Sequence, residues 1–250
     1  MTKIPQIAPL YESCPPRFYG GTERVVSYLT EELVRQGHEV TLFASGDSIT
    51  TAALDPGCPS ALRLKGCQDP LVYHLAMLHR VRQRVAEFDI LHFHTDYLHF
   101  PLFADISEKT VTTLHGRLDL PDLPVVMHAF DMMPLVSISD AQRRPMSWAN
   151  WYKTVHHGLP ELYRLGHGVS GYLAFLGRIS PEKRVDRAIE IARRAGRPLR
   201  IAAKVDPVDQ VYFERRIEPL LDDPLVDFIG EIAKRTRMHS WAMQQRCYSR

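Results

Sequence analysis

Short apolar runs alternate along this chain with longer amphipathic segments, and that alternation constrains the fold more than any other feature. Ile4 to Leu10 is strand-like, although Pro5 and Pro9 weaken it. Thr22 to Gln36 reads as a helix, with Val25, Leu29 and Leu33 on one face and Val26 beside them. Thr22 can cap its start, Glu23 suits the positive end of the helix dipole, and Gly37 stops it. Val40 to Ala44 is then an apolar strand. The unit repeats with a helix from about Asp69 to Glu87, marked by Leu71, Leu75, Leu78 and Val85, and a strand over Asp89 to His94. Thr110 to Leu114, Leu135 to Ile138 and Lys153 to His156 are further β runs. Runs with little polar alternation indicate strands covered on both faces, hence a mostly parallel sheet with crossover helices.

The segment GLPELYRLGHGVSG, residues 158–171, reads as a connector because glycine and proline recur in it. A second α/β unit follows. Its strands are Leu173 to Leu176, Leu199 to Ala203 and Val226 to Ile229. Ser180 and Pro181 suit the cap and first turn of a helix whose apolar face is Val185, Ile189 and Ala192, ended by Gly196. Val208 to Leu221 is helical with an interruption at Pro219. The expected architecture is an α/β Rossmann-like parallel sheet with helices on both faces over residues 1–158. A connector at 159–171 leads to an incomplete second Rossmann-like domain at 172–232. After Ile232 the periodicity stops, and residues 233–250 contain no acid.

Composition excludes several classes. The 250 residues carry 31 basic and 29 acidic side chains, a net charge of +2, which is too balanced for a nucleic-acid binder. Five of the basic residues follow Ile232, leaving 26 against 29 before it. Cys14, Cys58, Cys67 and Cys247 form no CxxC pair, so free thiols in a reducing compartment are expected. The first residues lack the apolar stretch of a signal peptide, and no apolar run reaches the roughly 18 residues of a membrane span. A cytoplasmic location is the expectation.

Five groups of residues can carry chemistry. Gly20 and Gly21 lead from the first strand into the first helix. There they either let a ligand approach the backbone or simply make a tight turn. Arg178 and Lys183 surround a strand end and helix start. They can hold a diphosphate, as a planar fork and a mobile point charge, or decorate a solvated helix. His115 lies just beyond a strand end, where open α/β sheets bind ligands, or is a loop histidine with a structural hydrogen bond. His92 and His94 share a strand face and precede Asp96, a pattern that suits a metal-dependent hydrolase or a polar strand end. Lys204, at a further strand end, contacts an anion or lies on the surface.

Six stretches taken in order resemble a family-four glycosyltransferase of the two-domain B-type fold. They are YGGTERVVSYLTEELVRQGHEVTLFASGDS at Tyr19 to Ser48, FDILHFH at Phe88 to His94, and TLHG at Thr113 to Gly116. LVSISDAQR at Leu135 to Arg143, TVHHGL at Thr154 to Leu159 and LAFLGRISPEKRVDRAIEIA at Leu173 to Ala192 complete them. The resemblance implies retaining transfer of a hexosyl group from a nucleoside-diphosphate sugar to a hydroxyl acceptor. It implies that Gly20 and Gly21 line the cleft, that Arg178 and Lys183 grip the donor diphosphate, and that His115 faces the transferred sugar in a catalytic role. Lys204, Gly230 and Glu231 would lie on the donor side. No metal or other cofactor is expected, because protein cations take its place.

The sequence departs from the family after Ile232. The family's later signature, a glutamate, seven residues and a second glutamate, does not follow, so the chain is expected to be a C-terminally truncated relative with a non-family tail. Weak or no activity follows from that expectation. So does self-association through an exposed edge of the second sheet. The rival readings are the metal-dependent hydrolase built on His92, His94 and Asp96, and a non-catalytic anion-binding remnant.

Overall fold

A computed structural model of the chain describes residues 1–160 and 171–232. Residues 161–170 of the expected connector and the whole of the expected tail, 233–250, lie outside the described residues. The chain divides into two compact units. One spans Met1–Pro16 and Gly20–Pro160; the other takes in Arg17–Tyr19 and, of the described residues, 171–232.

The first unit contains β1 (Lys3–Ile7), α1 (Gly21–Arg35), β2 (Glu39–Ser45), β3 (Ala53–Cys58) and α2 (Pro70–Gln83). β4 (Leu91–Phe93), α3 (Phe100–Phe103), β5 (Thr110–Thr113) and α4 (Leu123–Ala129) follow. β6 (Leu135–Ser137), α5 (Asp140–Arg143) and β7 (Trp151–Thr154) complete it. The seven strands form one parallel sheet in the order β3-β2-β1-β4-β5-β6-β7. Strand order reverses at β1, so the loops after β1 and β4 diverge there, the position where such sheets hold ligands.

β1 is central despite Pro5. Its pairing with β4 covers only Gln6 with His92 and Ile7 with Phe93, so Pro5 faces a ladder partner on the β2 side alone, opposite Thr41. One sheet face carries Ile7, Phe43, Leu91 and Phe93, packed on Met77, Leu78 and Val81 of α2. On the opposite face Ala8, Leu42 and Ala44 pack on Val26 of α1.

Two helix faces differ from the sequence expectation. α1 buries Glu23, Val26, Ser27 and Thr30, whereas Val25, Leu29 and Leu33 are only half-buried. The sheet presents Ala8 and Ala44, beside Leu42, to Val26 on this face of the helix. α2 buries His74, Met77, Leu78 and Val81, leaving Leu71 and Leu75 exposed at 46% and 45%. The start of α1 also differs. Gly20 is the cap residue, no side chain caps it, and Thr22 lies inside the helix. Its end is as expected. Gly37 at φ 85 donates to Val34 and is followed by a bond from His38 N to Leu33 O, which closes the last turn.

The second unit contains β8 (Leu173–Ile179), α6 (Val185–Ala195), β9 (Leu199–Val205), α7 (Gln210–Tyr212) and β10 (Val226–Phe228). Its three strands are parallel, in the order β10-β9-β8. Val185, Ile189 and Ala192 of α6 pack on Ile179, Leu199, Ile201 and Ala203, and Gly196 ends the helix at φ 58. Ser180 does not cap α6. A tight turn over Pro181–Lys183 intervenes, and Arg184 at φ 52 breaks it from the helix. β8 also runs three residues further than expected, so Arg178 lies within the strand. α7 continues irregularly through Phe213–Ile217 and Glu218–Leu220, where Pro219 supplies no N–H.

Candidate functional site

In the first unit a polar cluster sits at the carboxyl ends of β1, β4 and β5. Alternation along β4 turns Leu91 and Phe93 into the apolar core and His92 and His94 to the other face, with ring centroids 4.2 Å apart. Gln6 of β1 is fully buried beside them. Its Nε2 lies 3.3 Å from His92 Nδ1, and its Oε1 lies 2.9 Å from His94 Nε2. His92 Nε2 is 2.8 Å from Thr113 Oγ1. His94 Nδ1 is 2.9 Å from Nε2 of His115, which follows β5. The His157 ring stacks on His115 at 5.2 Å.

Burial keeps this cluster uncharged. It pushes His92 down to about 4 and His94 well below its ordinary value. His115 falls to about 3, mainly by burial and then by repulsion from His157 and His92. Neutral imidazoles can pass hydrogen bonds along the line, and His115 Nδ1 ends it as a buried nitrogen with no hydrogen-bond partner.

Gln142 holds the loop that carries His115. Its Nε2 donates to Leu114 O at 2.9 Å and to Gly116 O at 2.8 Å, while its Oε1 accepts from Ile138 N at 2.9 Å. Ser139 caps α5 by accepting from Gln142 N, which fixes that side chain's starting point. Gln6 and Gln142 are the residues that sequence reasoning did not single out. The one sequence signal for Gln6 is a polar residue inside the strand KIPQI.

The two glycines of the first βα turn differ. A Cβ on Gly20 would lie 2.7 Å from Pro16 Cβ and 3.0 Å from Glu12 Cγ, so the turn packs only around glycine. A Cβ on Gly21 would meet nothing within 4 Å, leaving open space at the start of α1.

The hydrolase reading does not match this geometry. Both ring nitrogens of His92 and of His94 have protein partners, and Asp96 is exposed in a turn at φ 49. Among the described residues no group of three His, Cys, Asp or Glu side chains is placed to hold a metal ion.

In the second unit the remaining candidates gather at the carboxyl end of its sheet. Arg178 on β8 is in register with Lys204 on β9, and Lys183 lies in the turn after β8. Gly230, at φ 69, and Glu231 follow β10. Acids surround the cations. Arg178 pairs with Glu182, and lies 3.6 Å from Asp206 and 3.4 Å from Asp209. Lys204 Nζ is 2.9 Å from Asp206. Lys183 is exposed and makes no ion pair among the described residues. The nearby carboxylates outweigh burial and raise Arg178, so it stays charged. Burial raises Asp209 despite Arg178.

Two units, each a parallel sheet packed on helices with polar groups at its carboxyl ends, define the Rossmann-like α/β class. The description Glycosyltransferase Family 4 matches residues 19–169, more than half of the chain, and the chain belongs to that family. Among solved structures it is similar to AviGT4, a glycosyltransferase involved in avilamycin A biosynthesis. The two share 21% identity over 95% of this chain and 66% of that one, with a TM-score of 0.66. It is also similar to sucrose-phosphate synthase from Thermosynechococcus elongatus, at 13% identity, 98% and 74% coverage and a TM-score of 0.71. The catalytic domain of starch synthase IV from Arabidopsis thaliana, bound to ADP and acarbose, gives 15% identity, 97% and 76% coverage and a TM-score of 0.58. At these identities the likeness shows the fold. The chain spans about two thirds of the length of AviGT4. No curated protein matches it in sequence. No helix among the described residues is long and apolar enough to cross a membrane.

Proposed function

We propose that this protein transfers a hexosyl group, with retention, from a nucleoside-diphosphate sugar to a hydroxyl acceptor. The observation that carries this reading is the gathering of Arg178, Lys183, Lys204, Gly230 and Glu231 at one sheet end in a member of glycosyltransferase family four. Arg178 supplies a planar fork to the diphosphate and Lys183 a mobile charge, and both offset negative charge on the leaving group. In that role they replace a metal ion, and no cofactor is needed. His115 faces the transferred sugar, and the open space at Gly21 admits a ligand to the start of α1.

Free Cys14, Cys58 and Cys67 support a reducing, cytoplasmic location. Among the described residues β8 and β10 each pair on one side only, which supports self-association through a sheet edge. Sedimentation over a range of concentrations tests this, and a constant monomer refutes it.

The functional test is a panel of sugar nucleotides scored by thermal shift and by turnover. One nucleoside-diphosphate sugar is expected to stabilise the protein, and Arg178→Ala to reduce that stabilisation. If none binds at millimolar concentration, the reading is wrong.

A further inference from the structure

We propose that Gln6 and His94 are positioning residues that set the proton register of His115, holding its hydrogen on Nε2 and presenting Nδ1 as an acceptor for a ligand hydroxyl. The ligand half of this inference rests on the glycosyl-transfer reading; the register half rests on the contacts alone.

Five side chains form one line: Thr113, His92, Gln6, His94 and His115. A neutral imidazole carries one ring hydrogen, so a ring that donates at one nitrogen accepts at the other. A glutamine amide donates at nitrogen and accepts at oxygen. The choice made at Gln6 therefore propagates to both ends, and the line has two self-consistent settings.

In the first setting, Gln6 Nε2 donates to His92 Nδ1, and His92 Nε2–H donates to Thr113 Oγ1. Gln6 Oε1 accepts from His94 Nε2–H. His94 Nδ1 then accepts from His115 Nε2–H, leaving a lone pair on His115 Nδ1. In the second setting the amide is turned over, every bond reverses, and the hydrogen lies on His115 Nδ1.

The structure has the amide oxygen toward His94 and the nitrogen toward His92, which is the first setting. The end of the line favours it. His115 Nδ1 is buried with no partner. A buried N–H without an acceptor is rarer than an under-used acceptor, so the second setting leaves the worse orphan. Protonation would make each ring a double donor and break the line. Burial prevents this near neutral pH, since His92 is held to about 4 and His115 to about 3.

The register has a chemical consequence. Nδ1 accepts a hydrogen bond from a hydroxyl but cannot donate to a departing oxygen. A ligand hydroxyl at Nδ1 supplies the missing partner, and so reinforces the setting that receives it.

The test is long-range ¹⁵N–¹H correlation NMR of the full chain with ¹⁵N-histidine at pH 7.5, with His115 assigned by difference against His115→Gln. The unaltered protein is expected to show His115 protonated at Nε2 and bare at Nδ1. Gln6→Glu keeps an acceptor for His94 Nε2–H and should keep the register. Gln6→Met removes it, and His115 should become a mixture of tautomers or reverse. A hydrogen on Nδ1 in the unaltered protein, or an unchanged register in folded Gln6→Met, overturns the proposal. Should Gln6→Met not fold, His94→Asn takes its place with the same expectation. Addition of a sugar nucleotide is expected to move the His115 Nδ1 resonance with the register retained. The expected register with no response to any sugar nucleotide in the panel overturns the ligand half and leaves the relay standing.

Discussion

His115 Nε2 lies 2.9 Å from His94 Nδ1, joining the carboxyl ends of β5 and β4 through two neutral rings. That neutrality ties the site to stability. His92 is lowered to about 4 and His115 to about 3, and His94 and the core residue His99 lie well below the ordinary value, in each case chiefly through burial. Unfolding restores each to about 6.5. Between those values the unfolded chain binds more protons than the folded one, so stability rises with pH. It is full above about 6.5 and is lost as pH falls toward 4 and 3. Each such histidine contributes a slope of up to about 1.4 kcal/mol per pH unit. Urea unfolding at pH 7.5, 6 and 5 should show a steep loss of stability. A flat profile would mean that the rings are solvated or charged in the folded state.

Gln142 makes three hydrogen bonds around the His115 loop, two of them to the carbonyls on either side of that residue. Gln142→Ala removes all three and should cost about 1.5–4.5 kcal/mol, since such bonds contribute roughly 0.5–1.5 kcal/mol each. Gln142→Glu should be no better, because a carboxylate cannot donate to Leu114 O and Gly116 O. Thermal melts of both variants give the stability term, and ¹⁵N shifts of His115 report the loop. Full stability in Gln142→Glu would show that the two carbonyls do not need this donor.

The parallel sheet was legible because strands buried on both faces leave continuous apolar runs, such as Val40 to Ala44. β3 was not, since its sequence ALDPGC contains proline and glycine. It is tolerated as an edge strand bonded to β2 alone. α4 was hidden in the same way, because Pro121 and Pro124 at its start are turn residues by type. Spacing of large apolar residues misplaced the buried face of α1, because the smaller Val26, Ser27 and Thr30 are the ones buried, with Val26 packed on Ala8, Leu42 and Ala44. His115, Arg178 and Lys183 stood out by motif. Gln6 did not, because its role exists only through the pairing of Gln6 with His92, which are 86 residues apart.

The glycine pair offers a separation of packing from binding. Gly20→Ala forces a Cβ to 2.7 Å from Pro16 Cβ and 3.1 Å from Glu23 Oε2, and overpacking of this kind costs about 1–3 kcal/mol. Gly21→Ala meets open space in the first turn of α1, where alanine is the better helix former by up to about 1 kcal/mol. The first variant should melt lower and the second equal or higher. If a ligand approaches the backbone at Gly21, that same stable variant binds sugar nucleotide or acceptor more weakly. Equal binding by Gly21→Ala and the unaltered protein would remove Gly21 from the site.

Arg178 is already surrounded by Glu182, Asp206 and Asp209, so a diphosphate must compete with carboxylates for it. Charge-assisted hydrogen bonds contribute about 1.5–3 kcal/mol, so Arg178→Ala should weaken nucleoside-diphosphate binding by roughly tenfold or more. Asp209→Asn should act in the opposite direction. It removes one competitor, and it also relieves a carboxylate that burial holds above its ordinary range. Tighter binding of the same nucleotide follows, by a few-fold, and it should persist at raised salt because Asp209 is largely buried. Lys204→Ala tests the neighbouring cation. Its charge is matched by Asp206 at 2.9 Å, so removing it frees that acid to pair more closely with Arg178 and lowers affinity indirectly. Isothermal titration of the three variants distinguishes these effects. Weaker binding by Asp209→Asn would mean that the acid orients Arg178 rather than competing for it.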